Sequence, residues 1–170
     1  MNLYEQTVPQ FIRILRQVNV WIDKTEAFAT SKKFDVNTLL TARLAPDMFP
    51  LVRQLQSISD GAKGHASRLT GTTAPSFPDE EKTFAEIRTR IDKTIAYLET
   101  FKPEQFDGAA ERVITLAWNP GKGIKGCDYL VGFALPNFYF HCTTAYAILR
   151  HNGIDVGKMD FLGPVQFFDV

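Results

Sequence analysis

Over the first thirty residues, Tyr4, Val8, Phe11, Leu15, Val18, Ile22, Thr25 and Ala29 return at alternating steps of four and three. At about 3.6 residues per turn they share one face of a single long helix. Trp21 and Phe28 widen that stripe, so the helix contacts two neighbours. Pro9 lies near its start, where a missing backbone N–H is tolerated best. Ser31–Lys33 end it, and Asp35 or Asn37 can cap a short helix through Leu40.

The same period recurs twice more before it changes. A second helix is predicted to open around Ala45-Pro46-Asp47, with the face Met48, Val52, Leu55, Ser59, Ala62, Ala66, Leu69 and a cap at Gly71. Residues 71–78 form a turn-rich connector. A third helix follows, with Asp79, Glu80 and Glu81 at its positive end and the stripe Phe84, Ile87, Ile91, Thr94, Leu98, Phe101. Its Arg88, Arg90 and Lys93 read as a solvated face. Ile114, Leu116 and Trp118 then alternate with Val113, Thr115 and Ala117, which is the period of a strand. With the turn Asn119-Pro120-Gly121, this predicts a small β-hairpin over about 112–126. A fourth long helix runs from about Asp128 to His151, with Pro136 bending it or freeing a carbonyl. The apolar tail 154–170, with Phe161, Leu162, Val165, Phe167 and Phe168, is expected to pack on the bundle or on a second subunit. The fold class is all-α: one domain over 1–170, a four-helix bundle with a hairpin before the last helix.

Composition narrows the function classes. Nineteen basic residues balance nineteen acidic ones in a chain of 170, so no global field attracts nucleic acid or an anionic membrane. No apolar run is long enough to span a bilayer, and the opening MNLYEQTVPQF lacks the features of a signal peptide. Cys127 and Cys142 cannot build a disulfide framework or a four-thiolate zinc site, which points to a reduced cytosol. Cys127 precedes a helix, where the dipole could favour its thiolate; Cys142 reads as core. Gly121-Lys122-Gly123-Ile124-Lys125-Gly126 hints at an anion site but lacks the order of a P-loop.

The fourth helix carries the candidate chemistry. Leu130, Phe133 or Ala134, Asn137, His141, Thr144 and Ile148 share one face, which stacks Asn137 and His141 one turn apart on the stripe read as facing the core. Two histidines at that spacing would aim two imidazoles at one ion, but only the second position is histidine, and an asparagine amide is a weak donor to zinc or nickel. The simplest reading is that Asn137 and His141 bond each other or the carbonyl freed by Pro136. His141 as a metal ligand and a metal-free pocket stay open beside it. Counting rise along the helices sets His65 about 10 Å off the level of His141, whereas Gln56 matches that level better. The pocket candidates are therefore His141, Asn137, Gln56 and Thr144. His151, in the last turn, reads as structural.

Phe133–Gly153, together with Ala42–Pro50, Leu3–Phe11 and Lys158–Gly163, resembles a family of bacterial proteins that carries a domain-of-unknown-function label within the DinB/YfiT-like superfamily. The resemblance covers essentially the whole chain. It implies an up-down-down-up four-helix bundle, often dimeric. It also implies a divalent metal held by one histidine on helix two and a His-x-x-x-His pair on helix four, in some relatives serving thiol-dependent transfer or isomerisation. His141 falls at the second position of that pair, Asn137 at the first, and Gln56 or its neighbour near the helix-two ligand.

Three functions follow as expectations. One is a degenerate member whose metal-free polar pocket binds a small molecule or whose bundle serves as a scaffold. Another is a metal-dependent transferase or isomerase, with or without a thiol co-substrate, using zinc or nickel on His141. The last is a homodimeric interaction protein with the aromatic tail as contact surface. None involves nucleic acid or membrane.

Overall fold

The computed structural model describes residues 2–165 and 167–169; Met1, Gln166 and Val170 lie outside the described residues. Helix α1 spans Leu3–Lys32, with the Asn2 side chain accepting from the Tyr4 N–H at its start and Lys33 in the left-handed region at its end. A 3₁₀ helix, Val36–Thr41, follows, capped by Asp35. Helix α2 spans Leu51–Thr70 and α3 spans Phe84–Leu98. Strands β1, Val113–Thr115, and β2, Gly123–Lys125, pair antiparallel with Ile114 opposite Ile124. The last long helix is built in three pieces: α4, Gly126–Tyr129; a π-helical turn, Leu130–Ala134; and α5, Leu135–His151. A short α6, Lys158–Leu162, closes the described elements.

Side-chain pairs fix the helix directions. Arg16 meets Glu99, Asn19 meets Asp92 and Asp23 meets Arg88, so α1 and α3 run antiparallel. Ser59 bonds Thr94 and Ser67 bonds Tyr97, so α2 and α3 run parallel. Phe11 packs on Phe138 and Trp21 on Tyr146, so α1 and α5 run parallel. The result is the up-down-down-up bundle, with the small hairpin before the last helix. Its core is continuous, from Phe11, Leu15 and Trp21 through Leu55, Ala62, Ile87 and Ile91 to Phe138, Ala145 and Leu149.

Three boundaries depart from the sequence expectation, each for a local reason. Helix α2 begins at Leu51, because Pro50 has no N–H to donate and restricts the residue before it. Residues 45–48 form a turn instead, closed by Met48 N–H to Ala45 O at 3.0 Å. Helix α3 begins at Phe84 under a capping box of Thr83 and Glu86, so Asp79, Glu80 and Glu81 precede it. The strands stop at three residues, and 116–122 turn over the bundle. Gly126 sits at the hairpin's base, where a Cβ would overlap the Ala109 carbonyl.

The tail divides. Ile154 and Val156 are buried, and Phe161 lies against Trp21 at 5.7 Å while the Trp21 indole donates to Asp160 O at 2.9 Å. Phe167 and Phe168 remain 90% and 85% exposed.

Arg90 is the larger surprise. Expected on a solvated face, it is only 3% exposed, and its guanidinium meets Asp60 at 2.7 Å, Asp79 at 3.0 Å and Glu81 at 2.9 Å. It also donates to Ser59 Oγ and to Pro78 O. Asp79, Glu81 and Pro78 belong to the connector, so this one side chain fastens the segment between α2 and α3 to both helices. The Glu81 carboxyl is held below its ordinary range despite partial burial, chiefly by the Arg90 and Gln56 hydrogen bonds. Arg90→Met leaves three carboxylates without their shared cation. It is expected to cost about 3–5 kcal/mol in urea unfolding and to open residues 71–83 to limited proteolysis.

Candidate functional site

The last long helix sets the site through its π-helical turn. Proline at position 136 cannot donate, and the wide turn just before it absorbs the defect, with the Leu135 N–H reaching back five residues to Leu130 O. Beyond that turn the buried positions are Ala134, Phe138, Cys142, Ala145 and Leu149. Asn137 and His141, read as facing the core, are instead half-buried at its edge, beside Phe133. They do not bond each other.

What they face is a cleft of about 240 Å³ between α2 and α5, roofed by the hairpin turn. From α2 it receives Arg53, Ser57, Asp60, Gly61, His65 and Arg68. The other wall is Phe133, Asn137 and His141, and the roof is Leu116 and Trp118. Helices α2 and α5 run antiparallel here, so the cleft has two levels. At one, His141 Nδ1 lies 2.8 Å from Gln54 Oε1. An amide oxygen only accepts, so Nδ1 carries the proton and Nε2 keeps its lone pair. At the other, His65 Nδ1 lies 2.6 Å from the Tyr129 hydroxyl, which also accepts from Arg68 at 3.3 Å. The buried Tyr129 hydroxyl has no other acceptor among the described residues, so it places its own hydrogen on His65 Nδ1. The imidazole proton is then on Nε2, which is buried and without a partner among the described residues.

Burial, more than the neighbouring charge of Arg68, pulls His65 down to about 3. Burial followed by the charge of Arg53 also lowers His141. Both rings are neutral near pH 7. The same desolvation raises the Tyr129 hydroxyl.

Two of the four sequence candidates line the cleft and two do not. His141 and Asn137 are in its wall. Gln56 donates to Glu81 at 2.8 Å on the side of α3, because two residues along a helix turn about 200° away. Thr144 is buried and bonds the Phe140 carbonyl of its own helix at 2.8 Å. The helix-two partner of His141 is Gln54, and His65 belongs to the same cleft. The offset in level between the two histidines is real, since His65 packs beside Tyr129 and Phe133, but the cleft runs along both levels. A sequence signal for this wall exists. Gln54, Gly61, His65 and Arg68 stand at steps of seven, four and three, a polar stripe beside the apolar one.

Among the described residues, no three His, Cys, Asp or Glu side chains gather where they could hold a metal. Cys127 is half-buried and Cys142 buried, where desolvation pushes its thiol well up. No described helix is long and apolar enough to cross a membrane. Lys125, of the glycine-rich segment, pairs with Glu111 at 2.6 Å.

Comparison with protein families matches residues 3–162 to one described as "Domain of unknown function (DUF1993)". Among solved structures, the crystal structure of a DinB family member protein from Shewanella denitrificans is 46% identical. The alignment covers 99% of this chain and 96% of that one, with a TM-score of 0.96. No curated protein matches.

The depressed His65 gives the site an acid signature. The unfolded chain takes up a proton near pH 6.5 and the folded chain only near 3, so this group's stabilisation is complete above pH 6.5 and is lost as pH falls from there toward 3. Between pH 7 and 4.5 the native chain is expected to lose about 2–3 kcal/mol through His65. Urea unfolding of His65→Phe should lack that increment, while the carboxylate part of the acid slope stays common to both proteins.

Proposed function

Because the chain belongs to the family described as domain of unknown function DUF1993, and has the DinB-like fold, we propose that the cleft between α2 and α5 is a small-molecule pocket that works without a metal. The observation that carries this reading is the donor set. Only His141 presents an imidazole lone pair, at Nε2, since the His65 Nε2 carries its proton under the Tyr129 and Arg68 chain. Asn137 offers a neutral amide, a poor donor to zinc or nickel. Arg53 and Arg68 add two cations to the lining, whose single carboxylate, Asp60, is bound to Arg90 and Lys63. These residues do not fit a divalent ion, and no reaction step is routed through one.

Equilibrium dialysis of untagged protein against micromolar zinc or nickel, beside His141→Ala, tests this directly. The expected result is substoichiometric metal in both proteins. Stoichiometric metal that disappears in the variant would overturn the reading and restore metal-dependent transfer, with or without a thiol co-substrate, as the working function.

Self-association through the tail is a second reading, supported by the exposure of Phe167 and Phe168 beyond the docked Phe161. Deleting residues 163–170 leaves the Trp21–Phe161 contact in place. It is expected to convert a dimer to a monomer in light scattering; an unchanged mass removes the tail as the contact. Operation in a reduced cytosol belongs to the same proposal, with both cysteines free.

A further inference from the structure

The lining of the cleft is electrically unbalanced. It holds three charged side chains, Arg53, Asp60 and Arg68. Asp60 is consumed by Arg90 at 2.7 Å and by Lys63 at 2.8 Å. Arg53 is paired with Asp79. Arg68 alone has no carboxylate within salt-bridge distance among the described residues; its side-chain hydrogen bond goes to the neutral Tyr129 hydroxyl. An exposed guanidinium at the mouth of a cleft, with its neighbours' charges already spent, attracts an anion and presents a planar fork to a carboxylate.

A second, independent observation points to the same occupant. His65 is 2% exposed, and its Nε2 has no partner among the described residues. Burying a polar group unsatisfied is costly, so such an atom marks a place where something else bonds. The side chains of His65 and Arg68 stand three residues apart on one face of α2, and both line the cleft. The proton assignment above makes His65 Nε2 a donor, which suits a carboxylate oxygen. Gly61 lies beside that nitrogen, where a Cβ would stand at 3.4 Å from it in ordinary van der Waals contact.

The opposite wall is flat and aromatic. Phe133 stacks on Tyr129 at 5.7 Å with 29° between the planes, and Trp118 lies 5.8 Å from Phe133 at 39°. Trp118 is 67% exposed, so a large apolar face is left uncovered at the opening. The volume of about 240 Å³ lies below the range of drug-sized sites.

We propose that the cleft binds a small planar carboxylate. Arg68 takes the charge, the buried His65 Nε2–H bonds one carboxylate oxygen, and Trp118 and Phe133 cover the ring. The proposal rests on reading the cleft as a metal-free pocket and adds the chemical class of its ligand.

The test is a titration of the full chain with benzoate, nicotinate, benzamide, benzylamine and inorganic phosphate. Binding is followed by calorimetry and by tryptophan fluorescence, in which Trp118 reports the cleft and Trp21 is buried. Saturable binding of benzoate or nicotinate is expected, at least tenfold tighter than benzamide, benzylamine or phosphate. Arg68→Gln should weaken the carboxylates tenfold or more and erase their preference over benzamide. Arg68→Lys should recover part of it. Arg68 is exposed, so both variants are expected to keep the native melting temperature. Benzamide bound as tightly as benzoate, or a carboxylate affinity indifferent to Arg68→Gln, would overturn the charge recognition while leaving the metal-free pocket intact. Phosphate bound as tightly as benzoate would overturn the requirement for a flat ring. No saturable carboxylate binding overturns the proposal outright. Failure of the underlying reading is seen separately, as stoichiometric zinc lost in His141→Ala.

Discussion

A buried guanidinium cannot be left unpaired, and Arg90 meets that requirement by drawing in three carboxylates. The consequences reach beyond stability. Asp79 and Glu81 come from the connector, so satisfying Arg90 fixes the path of the chain between α2 and α3. Asp60 comes from α2, where its carboxylate would otherwise neutralise the cations beside it. By holding Asp60 and sharing Asp79 with Arg53, the cluster settles which arginine in the cleft keeps an uncompensated charge. The electrostatics of the site are thus decided at the neighbouring helix pair, and a single cation there sets them.

The second constraint is the proline in the last helix. A helix that kept a uniform period through residue 136 would leave a carbonyl facing a ring with no N–H. The π-helical turn over Leu130–Ala134 absorbs this and adds a residue to one turn. The phase beyond it puts Phe138 and Cys142 into the core. Asn137 and His141 move to the edge as a result. Had they remained on the core-facing stripe, they would have been expected to satisfy each other in an apolar interior. At the edge they become the wall of an open cleft.

These two features also mark where the sequence was legible. The apolar stripes of the first three helices, the cap at Gly71 and the hairpin before the last helix could all be read, because each depends on local period and turn chemistry. The bundle followed from the helical periods, and its up-down-down-up topology from the family resemblance. The phase of the last helix could not be read, since a pattern tolerates either of two adjacent stripes and only packing against α1 and α2 selects one. The burial of Arg90 could not be read because Arg88, Arg90 and Lys93 look alike in sequence, whereas burial of one depends on acids nine to thirty residues before it. Height along the helix favours Gln56 over His65 as the residue level with His141 and passes over Gln54. Height ignores the two-residue rotation that turns one glutamine toward α3 and the other toward α5. His65 was set aside on the same measure. The polar stripe Gln54, Gly61, His65, Arg68 was visible all along, but apolar periodicity draws the eye to its neighbour.

The cleft that results has opposite characters at its two levels. Around His65 and Arg68 it offers hydrogen-bond donors, because Tyr129 gives its hydrogen to His65 Nδ1 and leaves the proton on Nε2. Around His141 it offers an acceptor, because Gln54 takes the Nδ1 proton and leaves the lone pair on Nε2. Neither assignment depends on charge, since desolvation keeps both rings neutral. A molecule lying along the groove between α2 and α5 would therefore be oriented as well as held. Its acceptor end would turn toward α2's C-terminal half, and any hydroxyl or N–H would turn toward His141. The two histidines stand at different levels of the cleft and form its two polar ends. The neutral amide of Gln54 and the hydroxyl of Tyr129 fix which end donates.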